Sequence, residues 1–297
     1  MYLGTQRIIL VLLHDFPDFL SQSFFALCDV IPSQCIQLHN LILSAFPVTT
    51  SLRLPDPLQP GLKIELLPEI HKSPQVLTDY TIALSTAELR APLDKFLQTR
   101  APATLPASLK ERLLLPSRNE TSDTKYSIPL INAFVFYTGV VAINQSKAQT
   151  GQVTFDPKST SSLLLRQLIA DMDPEGASIT VAPSSVLDTD SFYAGRYFVI
   201  AAAANQLRYP NAHTYWFSSF LLSAFAETSD EVAREQIVRA LLERIIVSRP
   251  HAVSCPCSPV EHVADLARSQ WGVLFTFSQL LTDPQYKLLS HAFVTCT

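Results

Sequence analysis

The stretch HDFPDFLSQSFFALCDVIPSQCIQLHNLILSAFP, residues 14–47, places prolines at Pro17, Pro32 and Pro47, fifteen residues apart. Between them Phe16, Phe19, Leu20, Phe24 and Leu27, then Ile36, Leu38, Leu41, Ile42 and Leu43, recur at the short steps that line one face of an α-helix. Proline has no amide hydrogen to donate; it is tolerated in a first helical turn and disrupts an interior, so each one marks a boundary. Together the two constraints dictate helices of about ten to thirteen residues, close to the ordinary globular length. Helices this short are marginal alone, because nucleation is costly, and each must bury its stripe against a neighbour. The expected fold is all-α: about ten short antiparallel helices in a helical-repeat or compact helical domain.

The same reading divides the chain into successive parts. Residues 2–46 hold three helices: one over 2–14 with Ile8, Ile9, Leu12 and Leu13 turned inward, one from Pro17 to about Asp29, and one starting at IPSQC with Ser33 as a capping oxygen. Residues 47–80 change character, with prolines at 47, 55, 57, 60, 68 and 74, and read as a long extended strap. Its leucines would be wasted in free solvent, so the strap is expected to lie across helical grooves. Helices return over 86–146: Thr86–Gln98 with Thr86, Leu89, Leu93, Phe96 and Leu97 as its stripe, a piece at Pro106–Leu115, an exposed loop at 116–125, and an apolar helix ending at residue 146. A polar loop over 144–162 leads into helices across 161–248, which are Ser161–Asp171, 191–205, 213–227 and Asp230–Val247, with a connector at 173–191. In the last of these Asp230 and Glu231 at the start and Arg244 at the end suit the helix dipole, and Glu235 with Arg239 adds an i,i+4 pair worth about 0.3 kcal/mol. Terminal helices occupy 271–293, and no period-two strand pattern appears.

Composition narrows the function classes. Charged residues make up 16% of the chain and hydrophobic ones 47%, whereas an ordinary soluble surface carries about 25–35% charge. Some apolar surface is therefore expected to be covered by another polypeptide or by further sequence. A net charge of −4 with acids and bases spread widely offers no concentrated basic patch; direct RNA binding, which needs one, stays as the alternative reading. Cys28, Cys35, Cys255, Cys257 and Cys296 are odd in number and form no framework, which fits reduced intracellular thiols. The N-terminus has an apolar centre after Arg7 but no small-residue cleavage site, which argues against secretion. The uncharged run 126–146 is interrupted by Asn132, Thr138, Asn144 and Gln145 and lacks a basic flank, so a buried core helix is expected rather than a membrane span.

No catalytic constellation assembles from the residues. His251, Cys255, Cys257 and His262 are zinc-type ligands, but one residue between the cysteines is tighter than the usual two to four, so no metal is assigned. No serine sits in a glycine-framed elbow, and His14-Asp15 lies on an apolar helix. Glu65 and Glu69 are separated from helical pairing by proline, and Gly61, Gly139, Gly151, Gly176, Gly195 and Gly272 stand alone, which cannot build a phosphate cradle. No cofactor or small-molecule substrate is expected. Two segments carry candidate partner contacts. In NQLRYPNAHT, residues 205–214, Asn205 and Gln206 can satisfy the preceding helix, and Asn211 or Thr214 can cap the next. The same corner offers Arg208, Tyr209 and His213 as recognition residues. In the strap, Leu54, Pro55, Pro57, Leu58 and Leu62 either pack inward or border a groove for an extended peptide.

The blocks LVLLHDFPDFL, CDVIPSQCIQLHNLILSAFP, LRLPDP, LKIELLPEI, ANQLRYPNAHTYWFS and EQIVRALLERIIVSRPH closely resemble the C-terminal domain of the large scaffold subunit of the CCR–NOT deadenylase complex, in the same order across nearly the whole chain. The resemblance implies a non-catalytic, HEAT-like scaffold docking the second NOT-module subunit and the third or fifth. It also implies surface for translational-repressor peptides and an indirect association with mRNA. Support of poly(A) shortening, mRNA decay and repression would follow, in cytoplasm, P-bodies and nucleus. The chain looks like a fragment beginning inside that domain. In the family RPH leads almost directly into a Trp-Gly helix, whereas here residues 252–270 intervene before Trp271-Gly272. This insert is expected to be a translated intron or gene-model error, which transcript sequencing would settle.

Overall fold

The computed structural model describes residues 2–48, 54–115, 124–174, 195–245 and 270–295. Among the described residues there is no strand, only an isolated bridge between Leu114 and Tyr126, and the all-α reading holds. The helices are α1 (Tyr2–Asp15), α2 (Pro17–Val30), α3 (Ile36–Leu43), α4 (Thr81–Thr86), α5 (Arg90–Thr99), α6 (Leu105–Arg112), α7 (Ile128–Thr150), α8 (Thr160–Asp171), α9 (Gly195–Ala204), α10 (Ala212–Glu227), α11 (Glu231–Ile245), α12 (Trp271–Thr282) and α13 (Ala292–Thr295). Short 3-10 turns occupy Ile64–Leu66, Pro68–His71 and Leu288–Ser290.

The core is organised around α7 and α9. Helix α7 packs against α4, α8, α9 and α10, and α9 also meets α8, α10 and α11. Helix α7 is long and apolar enough to span a membrane; here its Ile131, Ala133, Phe134, Val135 and Phe136 are buried within the protein. Its Phe136 stands edge-on to Tyr80 at 4.6 Å and to His213 at 5.1 Å. Helix α10 is buried through Trp216, Phe217, Phe220, Leu221, Ala224 and Phe225, as its spacing requires. At roughly 1.5–3 kcal/mol for each large side chain removed from water, this layer dominates the folding energy. Helices α1, α2 and α3 pack together, and α3 joins them to α11.

Several boundaries differ from the periodicity, each for a local reason. Helix α3 begins at Ile36 after Cys35, with no side-chain cap, rather than at Pro32–Ser33. The expected helix Thr86–Gln98 is two helices. Glu88 turns into the left-handed region at φ 52°, while Glu88 N–H donates to Ser85 O at 3.1 Å and Leu89 N–H to Leu84 O at 2.8 Å. That is a Schellman closure, and the two leucines that accompany it are fully buried. Helix α7 continues to Thr150, so residues 144–150 are helical rather than loop, and Gly151 at φ 75° ends it. In α11, Arg239 pairs with Glu243 at 2.9 Å in place of Glu235, and Leu242 is partly exposed instead of buried. On α1 and α2 the structure corrects the inward reading of Ile8, Phe16 and Phe19, which are exposed together with Val11. Residues 246–248, the loop 116–123, the connector beyond residue 174, most of the insert and the zinc-type set His251, Cys255, Cys257 and His262 lie outside the described residues.

Candidate docking site

The strap is seated on the protein's own helices. Its Ile64 and Ile70 are buried against Trp271 and Phe275 of α12, with Leu54, Leu62 and Leu67 packed around them. The Trp271 indole N–H donates to Pro55 O at 2.8 Å, and Trp271 stacks on Phe275 at 5.5 Å with nearly parallel rings. Further along, Ala212 N–H donates to Lys72 O at 2.9 Å and Leu77 N–H to Gln22 O at 3.0 Å, while Val153 N–H donates to His71 Nδ1 at 3.3 Å. The alternation of prolines explains why the segment needs these anchors: it cannot satisfy its backbone groups within a regular helix.

The corner after α9 is the fastening point. Asn211 caps α10, its side-chain oxygen accepting from His213 N–H at 2.8 Å and Thr214 N–H at 3.1 Å. Gln206 Nε2 donates to Ala202 O at 3.2 Å, satisfying a carbonyl of α9. Arg208 is 1% exposed; its guanidinium lies 3.7 Å over the Phe24 ring and Nη1 donates to Ser21 O at 2.8 Å. Gly272 N–H donates to Arg208 O at 2.8 Å, and a side chain at Gly272 would meet that oxygen at 2.7 Å, so only glycine allows α12 to approach so closely. The corner thus ties α2, the strap and α12 together.

This arrangement separates the residues singled out in the sequence. Arg208, Tyr209 and His213 are buried; Arg208 and His213 are taken up by the corner, which corrects their reading as partner contacts, while Tyr209 lines the cleft described below. Burial pushes the His213 imidazole down to about 3, helped by the neighbouring Arg208 charge. In the strap, Pro57 is buried, Leu54, Pro55 and Leu62 are half-buried, and Leu58 is 53% exposed. Leu66, 74% exposed, and Leu77 also point outward. Where strap, α2 and corner meet, a cavity of about 540 Å³ opens between Asp18, Gln22, Glu69, Lys72, Gln75 and Tyr209. Exposed leucines and a polar-rimmed cleft, both on a segment already anchored to the helices, make surfaces suited to another polypeptide.

Comparison with known proteins places this architecture. A family model described as CCR4-Not complex component, Not1, matches residues 1–256. The chain belongs to the Not1 family. It is 34% identical to the CCR4-NOT transcription complex subunit let-711 of Caenorhabditis elegans, matching 100% of this chain and 10% of that protein. It is 33% identical to the General negative regulator of transcription subunit 1 of Schizosaccharomyces pombe, over 99% of this chain and 12% of that protein. This Not1-family chain therefore spans about a tenth of these relatives. The solved NOT1 superfamily homology domain from Chaetomium thermophilum superposes with a TM-score of 0.77 at 29% identity, across 100% of this chain and 52% of that one. A Not1 C-terminal domain solved in complex with Not4 gives 0.76 at 29% identity, across 99% and 52%. The Not1 family match ends inside the 252–270 segment.

Sequence reasoning missed Leu66 and Leu77 in this Not1-family chain, although both leucines are visible in the strap. Periodicity offers no way to tell an outward leucine from an inward one where the backbone is neither helix nor strand. It also missed the role of Arg244, which is buried rather than set at the helix surface.

Proposed function

We propose that this chain is a non-catalytic docking domain of a CCR4–Not scaffold subunit, binding other NOT-module subunits through the exposed side of the strap and its adjoining cleft. The observation that carries the reading is the anchored strap, whose Leu58 and Leu66 face solvent and whose Glu69, Lys72 and Gln75 line a polar-rimmed cleft, on a fold shared with a Not1 C-terminal domain solved with Not4 bound. The second NOT-module subunit and the third or fifth are the intended partners, and a Not4-type protein joins them. Translational-repressor peptides would use the same apolar surface. Through such assembly the domain supports mRNA deadenylation, decay and repression in cytoplasm, P-bodies and nucleus, and touches mRNA only indirectly. The burial of Arg196, Arg208 and Arg244 removes three cations from the exterior and weighs against the RNA-binding alternative.

The test is co-purification of the chain with the candidate subunits at micromolar concentration. A stable complex is expected, and aspartate at Leu58 and Leu66 together should weaken it at least about ten-fold while changing chain stability by under about 0.5 kcal/mol. Absence of a complex with any candidate, or full affinity in the double variant, rejects the reading.

A further inference from the structure

On the side formed by the end of α2, α3, α9 and α11 lies a second cavity, of about 270 Å³, walled by Ile31, Ile36, Ile128, Phe198 and Ala201. Arg244 lines it while only 5% exposed. Its Nη1 donates to Asn40 Oδ1 at 2.6 Å, and Asn40 is held in turn by donating through Nδ2 to Glu243 O at 2.7 Å. The other two guanidinium nitrogens, Nε and Nη2, are buried without a hydrogen-bond acceptor among the described residues. A guanidinium cannot shed its charge by deprotonating, so a buried one lacking an anion bears a desolvation cost of several kcal/mol that a carboxylate would offset.

The acids that share the cavity do not supply that carboxylate. Glu243 accepts from Arg239 Nε at 2.9 Å and from the Tyr197 hydroxyl. Asp29 accepts from Asn132 Nδ2 at 2.8 Å, and desolvation raises its carboxyl to about 6, which marks how poorly hydrated the cavity is. Neither forms an ion pair with Arg244. Two adjacent free donors on a planar guanidinium match the two oxygens of one carboxylate. The volume lies just below the range of ligand pockets, about 300–1,000 Å³, and suits one side chain with an apolar neighbour rather than a folded surface.

We infer that this cavity is a second docking point, in which Arg244 receives the side-chain carboxylate of a glutamate or aspartate set among apolar residues of a partner polypeptide. The inference rests on the docking function proposed above. It adds a charge-specific contact away from the strap, which fixes the register of a bound segment rather than supplying most of its affinity.

Calorimetric titration of the full chain with the blocked peptide acetyl-Ser-Leu-Glu-Leu-Ser-amide tests it. The glutamate peptide should bind at least about ten-fold more tightly than its glutamine counterpart, the scale of a charge-assisted hydrogen bond. Arg244→Met should remove that preference. Ala201→Phe, which fills the cavity and leaves Arg244 in place, should abolish binding with the helical circular dichroism intact. Equal affinities for the two peptides, no binding of the glutamate peptide, undiminished binding to Ala201→Phe, or tighter binding of acetyl-Ser-Leu-Leu with a free carboxyl terminus would overturn the assignment. If the subunits assemble with wild-type chain while the glutamate peptide fails, the docking function stands and this contact falls. Peptide binding without subunit assembly has the reverse meaning.

Discussion

His213 shows how a polar residue can be committed to the interior. Its main-chain N–H is held by the Asn211 cap at 2.8 Å, its ring stands edge-on to Phe136 at 5.1 Å, and its Nδ1 has no hydrogen-bond partner among the described residues. Burial first, then the Arg208 and Lys147 charges, hold its imidazole neutral down to about pH 3. An unfolded histidine takes up a proton near pH 6.5, so the unfolded state binds more protons below that pH and stability is lost as pH falls. Between pH 7 and pH 5 the expected loss through this one residue is about 2 kcal/mol. Asp29 acts in the opposite sense: its raised carboxyl keeps a proton that the unfolded chain releases, so its contribution fades as pH climbs from about 4 to about 6. Urea unfolding at pH 7, 6 and 5 isolates the histidine by comparing slopes rather than absolute stabilities. His213→Leu should show a shallower acid decline than wild type, and identical declines would refute a neutral buried imidazole.

At the scale of elements, helix ends reveal where local chemistry was overruled. Ser159, Asn211 and Asp230 each stand before a helix with a side-chain oxygen that accepts a main-chain N–H, and Asn211 was readable as one of two candidate caps, with Thr214, because a polar residue follows Pro210 just before an apolar run. The break at Glu88 was not readable, since glutamate carries no turn signal and its left-handed backbone is imposed by the burial of Leu84 and Leu89 on either side. A non-glycine residue held there costs roughly 1 kcal/mol. Glu88→Gly should therefore raise stability by about 0.5–1 kcal/mol, because the side chain is exposed and the Arg112 contact uses only the Glu88 carbonyl. Denaturant midpoints measure this, and a lowered midpoint would show that the strain is absent. Helix α7 outran its expected end for a related reason. Its polar last turns, 144–150, keep helical hydrogen bonds at the edge of the core until Gly151 reverses the chain.

For the molecule as a whole, the decisive contact joins distant parts of the chain: Trp271 with Pro55, and Gly272 with Arg208. Trp271→Ala removes both the indole donor and the ring that covers Ile64 and Ile70, and should cost about 3–5 kcal/mol of local stability. Amide exchange should quicken across residues 54–77 by far more than in α7 or α9, since the strap has few other buried side chains. Uniform quickening, or none, would show that the strap is not held by this latch. The corner that carries the latch was legible as a hydrogen-bonded turn, yet its arginine looked equally suited to recognition. Only the approach of α2 buries Arg208 over Phe24.

Sequence alone determined that this chain is helical, where most of its helices lie and that a proline-broken strap divides them, because periodicity and the missing proline amide act within a few residues. It also carried the family, through ordered blocks that no composition could mimic. Tertiary structure alone decided which strap leucines face outward, which arginines lose their water and where the Arg244 cavity forms. Those outcomes depend on segments more than a hundred residues apart meeting in space, and side-chain spacing along a single chain holds no record of such meetings.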